Sequence, residues 1–391
     1  MKKEIPNRIK MLAVTAVMLL VTSCSATTES APAPTPTPEP TPRPADTVSF
    51  VAAGDNLIHG SIYMQAAARS TDGGYNFDYA YANTEDYFDN FDVKFINQET
   101  LVNDAYPPSH YPQFSTPLAL GDKVLEMGFN VIATANNHSY DKGATGVRSS
   151  LEYWNSKDVV NVGFYTGDDS ADIKYMTVNN IKMAFLAYTY GTNGLSIYDE
   201  TCPYIIHPDD FETVERQVKT AKENADVVIV SCHWGYEDTN TVNDYQKTVA
   251  EKLNIMGVDV IIGTHPHVIQ TVEWHTNDVN DNRTLICYSL GNFISAQSKA
   301  NNMLGGLFQF DITKEYDLEG NETVSIENPY FVPTIAHYDA NYTNIRNYLL
   351  KDYTPELASG HGVQANDSRF SYEYIENIVY SVIPEEFLLY K

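Results

Sequence analysis

Residues 131–143 read Val-Ile-Ala-Thr-Ala-Asn-Asn-His-Ser-Tyr-Asp-Lys-Gly, an apolar run that passes directly into polar side chains. The apolar part predicts a buried strand, and the pattern over Gly143–Asn155 predicts a helix. Between them, Asn137 offers a neutral oxygen ligand and His138 a proton carrier near neutral pH. Asp141 follows three residues later and can orient the imidazole. The segment therefore predicts chemistry in the loop that follows a strand.

Outward from this segment, apolar runs alternate with helical patterns. The runs are rich in β-branched and aromatic residues and are bounded by Gly, Asn, Asp or Pro, as strands are. Gly128 and Gly257 follow two of the helical patterns, where glycine is the usual left-handed cap. Alternation of helices with fully apolar strands predicts an α/β fold whose sheets are covered by helices. The predicted strands are Val48–Ala53, Val93–Asn97, Val131–Ala135, Val159–Val162, Met183–Tyr188, Val227–Cys232, Val258–Ile262, Leu285–Leu290, Leu307–Ile312 and Thr323–Val332, and the predicted helices are Leu118–Met127, Gly143–Asn155, Asp209–Asn224 and Val242–Met256.

Polar residues of the metal-binding kind follow further predicted strands. In α/β folds ligands collect at the carboxyl ends of strands, so these residues predict one assembled metal site and an enzyme. Asp55 alone could equally be a turn or capping residue. The pair His265 and His267 is more specific, because the proline between them fixes the backbone. The segments are Gly54-Asp55, Asn97-Gln98-Glu99, His233-Trp234-Gly235, His265-Pro266-His267 and Gly291-Asn292.

The amino terminus predicts export. A basic start, Met1-Lys2-Lys3, precedes an apolar stretch over Met11–Val21 and then Thr22-Ser23-Cys24. This order is typical of a secretion signal, and the apolar stretch is too short to span a bilayer. The ending resembles a bacterial lipobox, which implies cleavage before Cys24 and its lipidation; a plain secreted protein is the alternative. We therefore predict a signal peptide over residues 1–24 and a membrane-anchored lipoprotein on the extracytoplasmic face of the cell envelope.

The rest of the chain divides by composition into a spacer and one domain. Residues 25–46 alternate proline with Thr, Ala and Glu, a pattern that predicts an extended, disordered linker. A domain is predicted over residues 47–391, with the motifs in residues 48–310. Residues 311–391 carry no catalytic motif and are predicted to be a structural extension of the same domain.

The charge of the chain restricts its partners. The formal net charge is −26, which makes nucleic acid and anionic lipid headgroups poor partners for the surface as a whole. Any anion that binds must therefore be attracted locally, by metal ions or backbone N–H groups. Besides the lipobox cysteine, the three cysteines Cys202, Cys232 and Cys287 are an odd number, so they cannot form a complete disulfide framework.

Taken in order, the motifs resemble those of the bacterial capsule-synthesis CapA family, which is associated with poly-γ-glutamate and is similar to the calcineurin-like metallophosphoesterases. The resemblance runs from about Val48 to Phe310 and includes the segment Ser289–Phe293. It implies a four-layer αββα sandwich, in which two mixed β-sheets are flanked by helices and divalent metal ions lie at one edge. It also implies catalytic residues His138 and Asp141 and the metal ligands Asp55, Glu99, Asn137, His233, His265 and His267, with Glu99 bridging two ions.

The sequence departs from the calcineurin pattern at two motifs. Leu57 stands where that pattern has a histidine, and Asn97-Gln98-Glu99 replaces Gly-Asp-x-x-Asp. One metal ion therefore lacks an imidazole ligand, which His59 could replace only if the turn curls back. The departure favours a divergent relative that acts on an extracellular polymer over an ordinary phosphatase.

Three further residues are predicted to bind substrate. Trp234 follows a ligand candidate and could form a platform, although packing beneath the loop is the alternative. Glu237 lies three residues further along the same motif. Asn292 belongs to a segment that is either a tight turn or a source of backbone N–H groups for a substrate anion.

The resemblance implies a function in capsule or poly-γ-glutamate biosynthesis or processing. The expected chemistry is metal-dependent hydrolysis or transfer of γ-glutamyl amide bonds, with metal-bound hydroxide as nucleophile and His138 as acid. The metals are expected to be two divalent ions of Mn, Zn or Fe. An anionic extracellular polymer and capsule-synthesis subunits are the expected partners. The alternatives are an envelope metallophosphatase and a non-catalytic factor for polymer assembly or export.

Overall fold

The structure is a computed structural model that describes residues 43–167 and 171–389. The predicted signal peptide, the lipidation site Cys24 and the linker up to residue 42 lie outside these ranges. Strands form at all ten predicted positions, several with shifted ends, and four further strands were not predicted. The strands are β1 (Asp46–Asn56), β2 (Val93–Asn97), β3 (Val131–Ala133), β4 (Val160–Val162), β5 (Lys174–Val178), β6 (Ile181–Thr189), β7 (Val227–His233), β8 (Val260–Thr264), β9 (Val272–Thr276), β10 (Arg283–Cys287), β11 (Asn292–Ile294), β12 (Leu304–Tyr316), β13 (Glu322–Asp339) and β14 (Thr343–Leu349).

Helices connect many of these strands, and local sequence signals set several of their ends. Asn243 begins one helix with a capping box, because its side chain accepts from the Gln246 amide while the Gln246 side chain accepts from the Asn243 amide. Among the described residues, no helix is both long and apolar enough to cross a membrane. The α-helices are α1 (Gly60–Arg69), α2 (Asp78–Tyr81), α3 (Leu118–Glu126), α4 (Gly143–Asn155), α5 (Phe211–Asn224), α6 (Asp244–Ile255), α7 (Pro355–Ser359) and α8 (Tyr372–Val382), and short 3₁₀ helices span Glu85–Asn90, Ala300–Met303, Ala340–Tyr342, Leu350–Asp352, Gly362–Ala365 and Glu385–Phe387.

The strands form two mixed sheets. The first has the order β14-β13-β12-β1-β2-β3-β4, with β11 also paired to β1. In it β1 to β4 run parallel, whereas β12 is antiparallel to both β1 and β13. The second has the order β5-β6-β7-β8-β10-β9, with parallel strands in the middle and antiparallel strands at both edges. Residues beyond 310 thus complete the sheet that β1 begins.

Alternate residues of the second sheet face two different cores. Met183 and Phe185 of β6 belong to the buried cluster that also contains Phe50 of β1. Leu186, which points to the opposite face, packs in a separate cluster with Val218 of α5. The second sheet therefore lies between the first sheet and a helical layer.

Helices α3 and α4 pack together beside the first sheet. Leu120 of α3 and Trp154 of α4 are buried in the same cluster as β1. A Cβ atom at Gly121 of α3 would lie 2.4 Å from the Tyr153 hydroxyl oxygen of α4, so a larger residue there would displace the Tyr153 ring. The α/β class and the four-layer sandwich with two mixed sheets are confirmed.

Two glycines allow the end of β1 to touch the segment before β11. A Cβ atom at Gly54 would lie 2.1 Å from the carbonyl oxygen of Gly291, and Gly291 itself has a φ of 64°. The Asp55 amide donates to that carbonyl at 2.9 Å. This close backbone approach fixes the position of Asp55 at the carboxyl end of β1.

His361, in the carboxyl-terminal part, is buried in its neutral form. Its Nε2–H donates to the Ala336 carbonyl at 3.0 Å, and its Nδ1 accepts from the Val363 amide at 3.0 Å. Burial, with a smaller contribution from the charge of His337, lowers the pKa of His361 to about 3. Protonation would remove the acceptor that the Val363 amide uses.

We expect His361 to destabilise the fold in acid. Below pH ~6.5 the unfolded chain binds a proton that the folded state excludes, so the unfolding free energy falls by about 1.4 kcal/mol per pH unit. His361→Asn keeps an acceptor for Val363 and should remove about that slope between about pH 6 and pH 4. Urea titrations at several pH values measure the slope, and a titration near pH 7.5 isolates the pH-independent packing loss. An unchanged slope would contradict this role.

Candidate metal centre

The predicted site residues follow adjacent parallel strands in both sheets. In the first sheet, Asp55 at the end of β1 is paired in register with Asn97 at the end of β2. In the second sheet, His233 at the end of β7 is paired with Thr264 at the end of β8. The carboxyl ends of these strands meet, as expected for ligand sites in α/β folds.

Asp55, Glu99 and His267 form the buried centre of the site. His267 Nδ1 lies 3.2 Å from Asp55 Oδ2, and His267 Nε2 lies 3.6 Å from Glu99 Oε1. The three side chains offer ligand atoms that all lie within 4.8 Å of one another. Nδ1 also lies 3.1 Å from Asn292 Oδ1, so both of its neighbours are acceptors. This places the Nδ1 proton toward them and leaves Nε2 facing Glu99 for a cation.

Asn137, His233 and His265 complete the set of predicted metal ligands. His233 Nε2 lies 3.1 Å from Asn137 Oδ1 and 3.9 Å from Glu99 Oε1. The ring centroids of His233 and His265 are 4.8 Å apart, and those of His265 and His267 are 5.9 Å apart. The structure thus brings all six predicted ligands together, with Glu99 facing imidazoles on both sides.

Unsatisfied polar atoms show that these residues fit a divalent cation. Within residues 43–167 and 171–389, both carboxylate oxygens of Glu99 are buried without a hydrogen-bond partner, as is His265 Nδ1. Buried charges are costly unless they are paired or coordinate a metal. Carboxylate, amide and imidazole donors together suit Mn, Zn or Fe. The donor set and its orphaned atoms therefore match a transition-metal site.

The pKa shifts within the site also favour a bound cation. Burial, reinforced by Asp55, raises the pKa of Glu99 well above its usual value, although His267 opposes the shift. Burial lowers the pKa of His267, but Glu99 and Asp55 outweigh it and raise that pKa to about 10. Burial holds the pKa values of His233 and His265 well below the usual range. The centre thus retains protons near its carboxylates, where a cation could provide the positive charge instead.

The His265-Pro266-His267 loop has an unusual backbone. His265 has a φ of 99° and His267 a φ of 57°, in the left-handed region that few non-glycine residues adopt. The His265 amide lies 3.3 Å from Asp55 Oδ2, to which it donates. Strain of this kind is concentrated at functional sites, where the surroundings hold it in place.

Asn97 and Thr264, to which the sequence alone gives no role, contact and orient the candidate ligands. The Asn97 amide group donates to Asp55 Oδ1 at 2.7 Å, and it lies 3.4 Å from His233 Nδ1. The Thr264 hydroxyl lies 3.0 Å from the same Nδ1. Partners of this kind fix the ring orientation of metal-binding histidines. Their positions at strand ends beside the ligands were the available signal.

His138 and Asp141 form the dyad that the sequence predicts. His138 Nδ1 donates to Asp141 Oδ2 at 2.8 Å, and the same oxygen accepts from the Phe114 amide at 2.6 Å. The Phe114 ring meets the imidazole edge to face, with centroids 4.7 Å apart. Since Nδ1 is held by the carboxylate, Nε2 is the atom that can exchange a proton with a substrate.

The structure corrects the substrate-binding assignment of Trp234. Its side chain is 0% exposed, and the indole N–H donates to the Tyr288 carbonyl at 2.9 Å. The ring also stacks on that of Tyr288, with centroids 6.0 Å apart. Trp234 therefore supports the loop from beneath, because the indole belongs to the core of the second sheet.

Asn292 also acts beneath the site instead of contacting substrate. It is 0% exposed, and its amide group donates to Gln297 Oε1 at 2.7 Å and to the Asn302 carbonyl at 2.9 Å. Its Oδ1 is directed at His267. The predicted substrate contact is corrected to a role in orienting a ligand, because every polar atom of this side chain is already engaged.

The imidazole that is missing at Leu57 is not replaced by His59. Leu57 is buried, and His59 Nδ1 accepts from the Ala296 amide at 3.2 Å. Its ring packs against Phe114, with centroids 5.6 Å apart. Among the described residues, His59 belongs to neither group of side chains that could hold a metal ion.

Glu237, the third predicted substrate contact, is exposed and lies at the site. Its carboxylate belongs to a second group of ligand atoms, with His265 and His267, that all lie within 4.8 Å of one another. His267 is common to this group and to the buried one. Glu237 thus occupies the solvent side of the centre.

Comparison with known proteins finds capsule-synthesis relatives. The chain is 34% identical over 195 residues to the PGA biosynthesis protein CapA of Bacillus subtilis (strain 168), covering 49% of this chain and 50% of that protein. It is 28% identical over 270 residues to the capsule biosynthesis protein CapA of Bacillus anthracis, covering 65% of this chain and 62% of that protein. The chain thus spans about half to three fifths of the length of these curated relatives.

Among solved structures, the NAD nucleotidase of Haemophilus influenzae matches with a TM-score of 0.41 and 12% identity, covering 87% of this chain and 57% of that chain. At so low a TM-score the likeness adds nothing to the fold described above. The model of the bacterial capsule synthesis protein family PGA_cap matches residues 49–297, which include every residue placed in the metal centre. The chain belongs to the bacterial capsule synthesis protein PGA_cap family.

Proposed function

We propose that this protein acts in capsule biosynthesis at the cell envelope, where it hydrolyses or transfers γ-glutamyl amide bonds of poly-γ-glutamate or a related polymer. One observation carries the catalytic part: the Glu99 carboxylate is buried, has no hydrogen-bond partner within the described ranges, and lies between imidazoles. The name of the Bacillus subtilis relative supports the polymer, and that of the Bacillus anthracis relative supports a capsule. A polyanion is compatible with an acidic chain if cations in the centre attract its carboxylates locally.

The six ligands Asp55, Glu99, Asn137, His233, His265 and His267 would hold divalent cations. Such cations supply Lewis acidity toward the amide carbonyl and lower the pKa of water. Asn97 and Thr264 hold the ligands in place through the contacts described above. The six side chains are buried, which strengthens electrostatic interactions with a developing oxyanion.

His138 would supply the proton that completes amide cleavage. Water adds to the γ-carbonyl carbon, the C–N bond breaks, and the leaving nitrogen takes the proton from His138 Nε2. Asp141 holds the ring through Nδ1 and stabilises its protonated form. In a transfer reaction an amine takes the place of water. Afterwards the imidazole regains a proton from the attacking nucleophile.

A substrate panel tests this proposal. The full chain, loaded with Mn²⁺, is incubated with poly-γ-glutamate, peptidoglycan fragments and an aryl phosphate, and new amines or phosphate are measured. We expect amine release from poly-γ-glutamate, and the Glu99→Gln variant should release none. Phosphate release alone would instead identify an envelope phosphatase. If no substrate is cleaved but the polymer is retained on the protein, the site serves assembly or export.

A further inference from the structure

We propose that Glu237 is a cation ligand, with its carboxylate on the solvent side of the centre beside His265 and His267. This inference rests on the proposed metal-dependent function. It adds a seventh residue to the six predicted ligands, on the solvent side of the centre. It also changes the expected role of Glu237 from contact with substrate to contact with metal.

The first support is the position of the carboxylate. Glu237 is exposed, yet an oxygen of its side chain lies within 4.8 Å of ligand atoms of both His265 and His267. The imidazole His265 Nδ1 is buried and has no hydrogen-bond partner within the described ranges. An unpaired imidazole nitrogen and a nearby carboxylate are two of the donors that a transition metal prefers.

The second support is the backbone that carries Glu237. Gly235 has a φ of 96° and Asp238 a φ of 64°, so the chain turns sharply on both sides of the residue. The Asp238 amide donates to the Pro266 carbonyl at 2.9 Å. Since Pro266 separates the two histidines, this bond ties the turn directly to the ligand loop. Glu237 is therefore held against the ligands by the main chain.

The neighbouring carboxylate is already used for structure. Asp238 Oδ1 accepts from the Asn302 amide group at 2.9 Å, and Asp238 forms an ion pair with Lys299. These contacts hold the turn against the segment before β12. Among described residues, Glu237 has no ion pair, so its carboxylate is available to a cation.

Charge argues against direct recognition of an anionic polymer by Glu237. A carboxylate at the mouth would repel the carboxylates of poly-γ-glutamate, since like charges placed together oppose binding. A cation between them removes this conflict, because it attracts both groups. An added carboxylate also makes the donor set harder, which suits Mn²⁺ better than a set rich in imidazole would.

Metal titration of Glu237→Gln tests the proposal. The full chain is freed of metal with a chelator and titrated with MnCl₂ by calorimetry, and bound Mn is counted by elemental analysis. We expect the variant to bind Mn²⁺ at least about tenfold more weakly, or to lose one equivalent of a two-equivalent total. Glu215→Gln, at an exposed position on α5, is the matched control and should bind as the wild type does.

The outcomes separate this inference from the proposed function. If Glu237→Gln binds Mn²⁺ with unchanged stoichiometry and within about twofold of the wild-type Kd, Glu237 is not a ligand. A parallel Glu99→Gln titration that then shows lost binding leaves the proposed function intact. If the wild type itself binds no Mn²⁺ or Zn²⁺, both proposals fail. Circular dichroism of the metal-free variant confirms that a loss is not unfolding.

Discussion

Replacing Glu99 with glutamine is expected to abolish cation binding while leaving the metal-free protein at least as stable as the wild type. The carboxylate is buried, both its oxygens lack hydrogen-bond partners within residues 43–167 and 171–389, and burial raises its pKa. Glutamine keeps the size of the side chain and removes the charge. A buried charge without full compensation costs stability, so its removal is neutral or favourable in the absence of metal.

The two effects are separated by thermal unfolding with and without MnCl₂. At a cation concentration about 100 times Kd, the wild type should gain about 2.7 kcal/mol, because the ion binds only the folded state. Glu99→Gln should gain nothing, whereas Glu215→Gln should gain as much as the wild type. Equal stabilisation of Glu99→Gln by Mn²⁺ would refute Glu99 as a ligand. A metal-free variant weakened by several kcal/mol would instead show a structural ion pair with His267.

The fold was predictable where strands are buried on both faces. The apolar runs over β1, β2 and β6 can be recognised as strands from their composition alone. The structure places them in the interior of the two sheets. The edge strands β5, β9 and β14 were not predicted. Strand β9, with Trp274 flanked by Glu273 and His275, is only partly buried and mixes polar with aromatic residues. Such strands are fixed by pairing with a neighbour, which local sequence does not encode.

Some strand ends differ from their predicted positions for a similar reason. The predicted strand Leu285–Leu290 is observed as Arg283–Cys287, because the chain leaves the ladder to approach the ligand loop. The Leu290 amide donates to the Gly263 carbonyl at 3.1 Å instead of continuing the strand. A tertiary contact, and not the strand propensity of the residues, therefore decides where β10 ends.

That the candidate ligands lie close together was predictable because strand ends converge, but the direction in which each side chain points was not. Trp234 and Glu237 belong to the same motif, yet the first is 0% exposed and the second is exposed at the metal centre. Sequence spacing does not tell which side of a loop faces the site. The hydrogen bond from Asp238 to the Pro266 carbonyl, which sets that direction, joins segments that are distant in sequence.

Replacing His138 with asparagine should lower turnover about 10²- to 10⁴-fold on whichever substrate the wild type cleaves. Asp141 holds the ring through Nδ1, so the substitution removes Nε2, the atom that would give its proton to the leaving group. Asp141→Asn should also lower turnover, since a neutral amide stabilises the imidazolium less well. Neither residue belongs to the groups of His, Cys, Asp and Glu side chains that could hold a metal ion. Mn²⁺ binding should therefore stay within about twofold of wild type in both variants.

Steady-state kinetics distinguish an acid from a residue that only shapes the pocket. Loss of an interaction made only in the transition state lowers kcat and kcat/KM together, whereas loss of substrate binding raises KM. We expect the first result for His138→Asn. If instead the variant supports a normal amount of polymer in cells while Glu99→Gln does not, the cations serve to bind polymer and His138 transfers no proton. In that case the sandwich works as a metal-dependent assembly or export factor, and catalysis has to be assigned elsewhere.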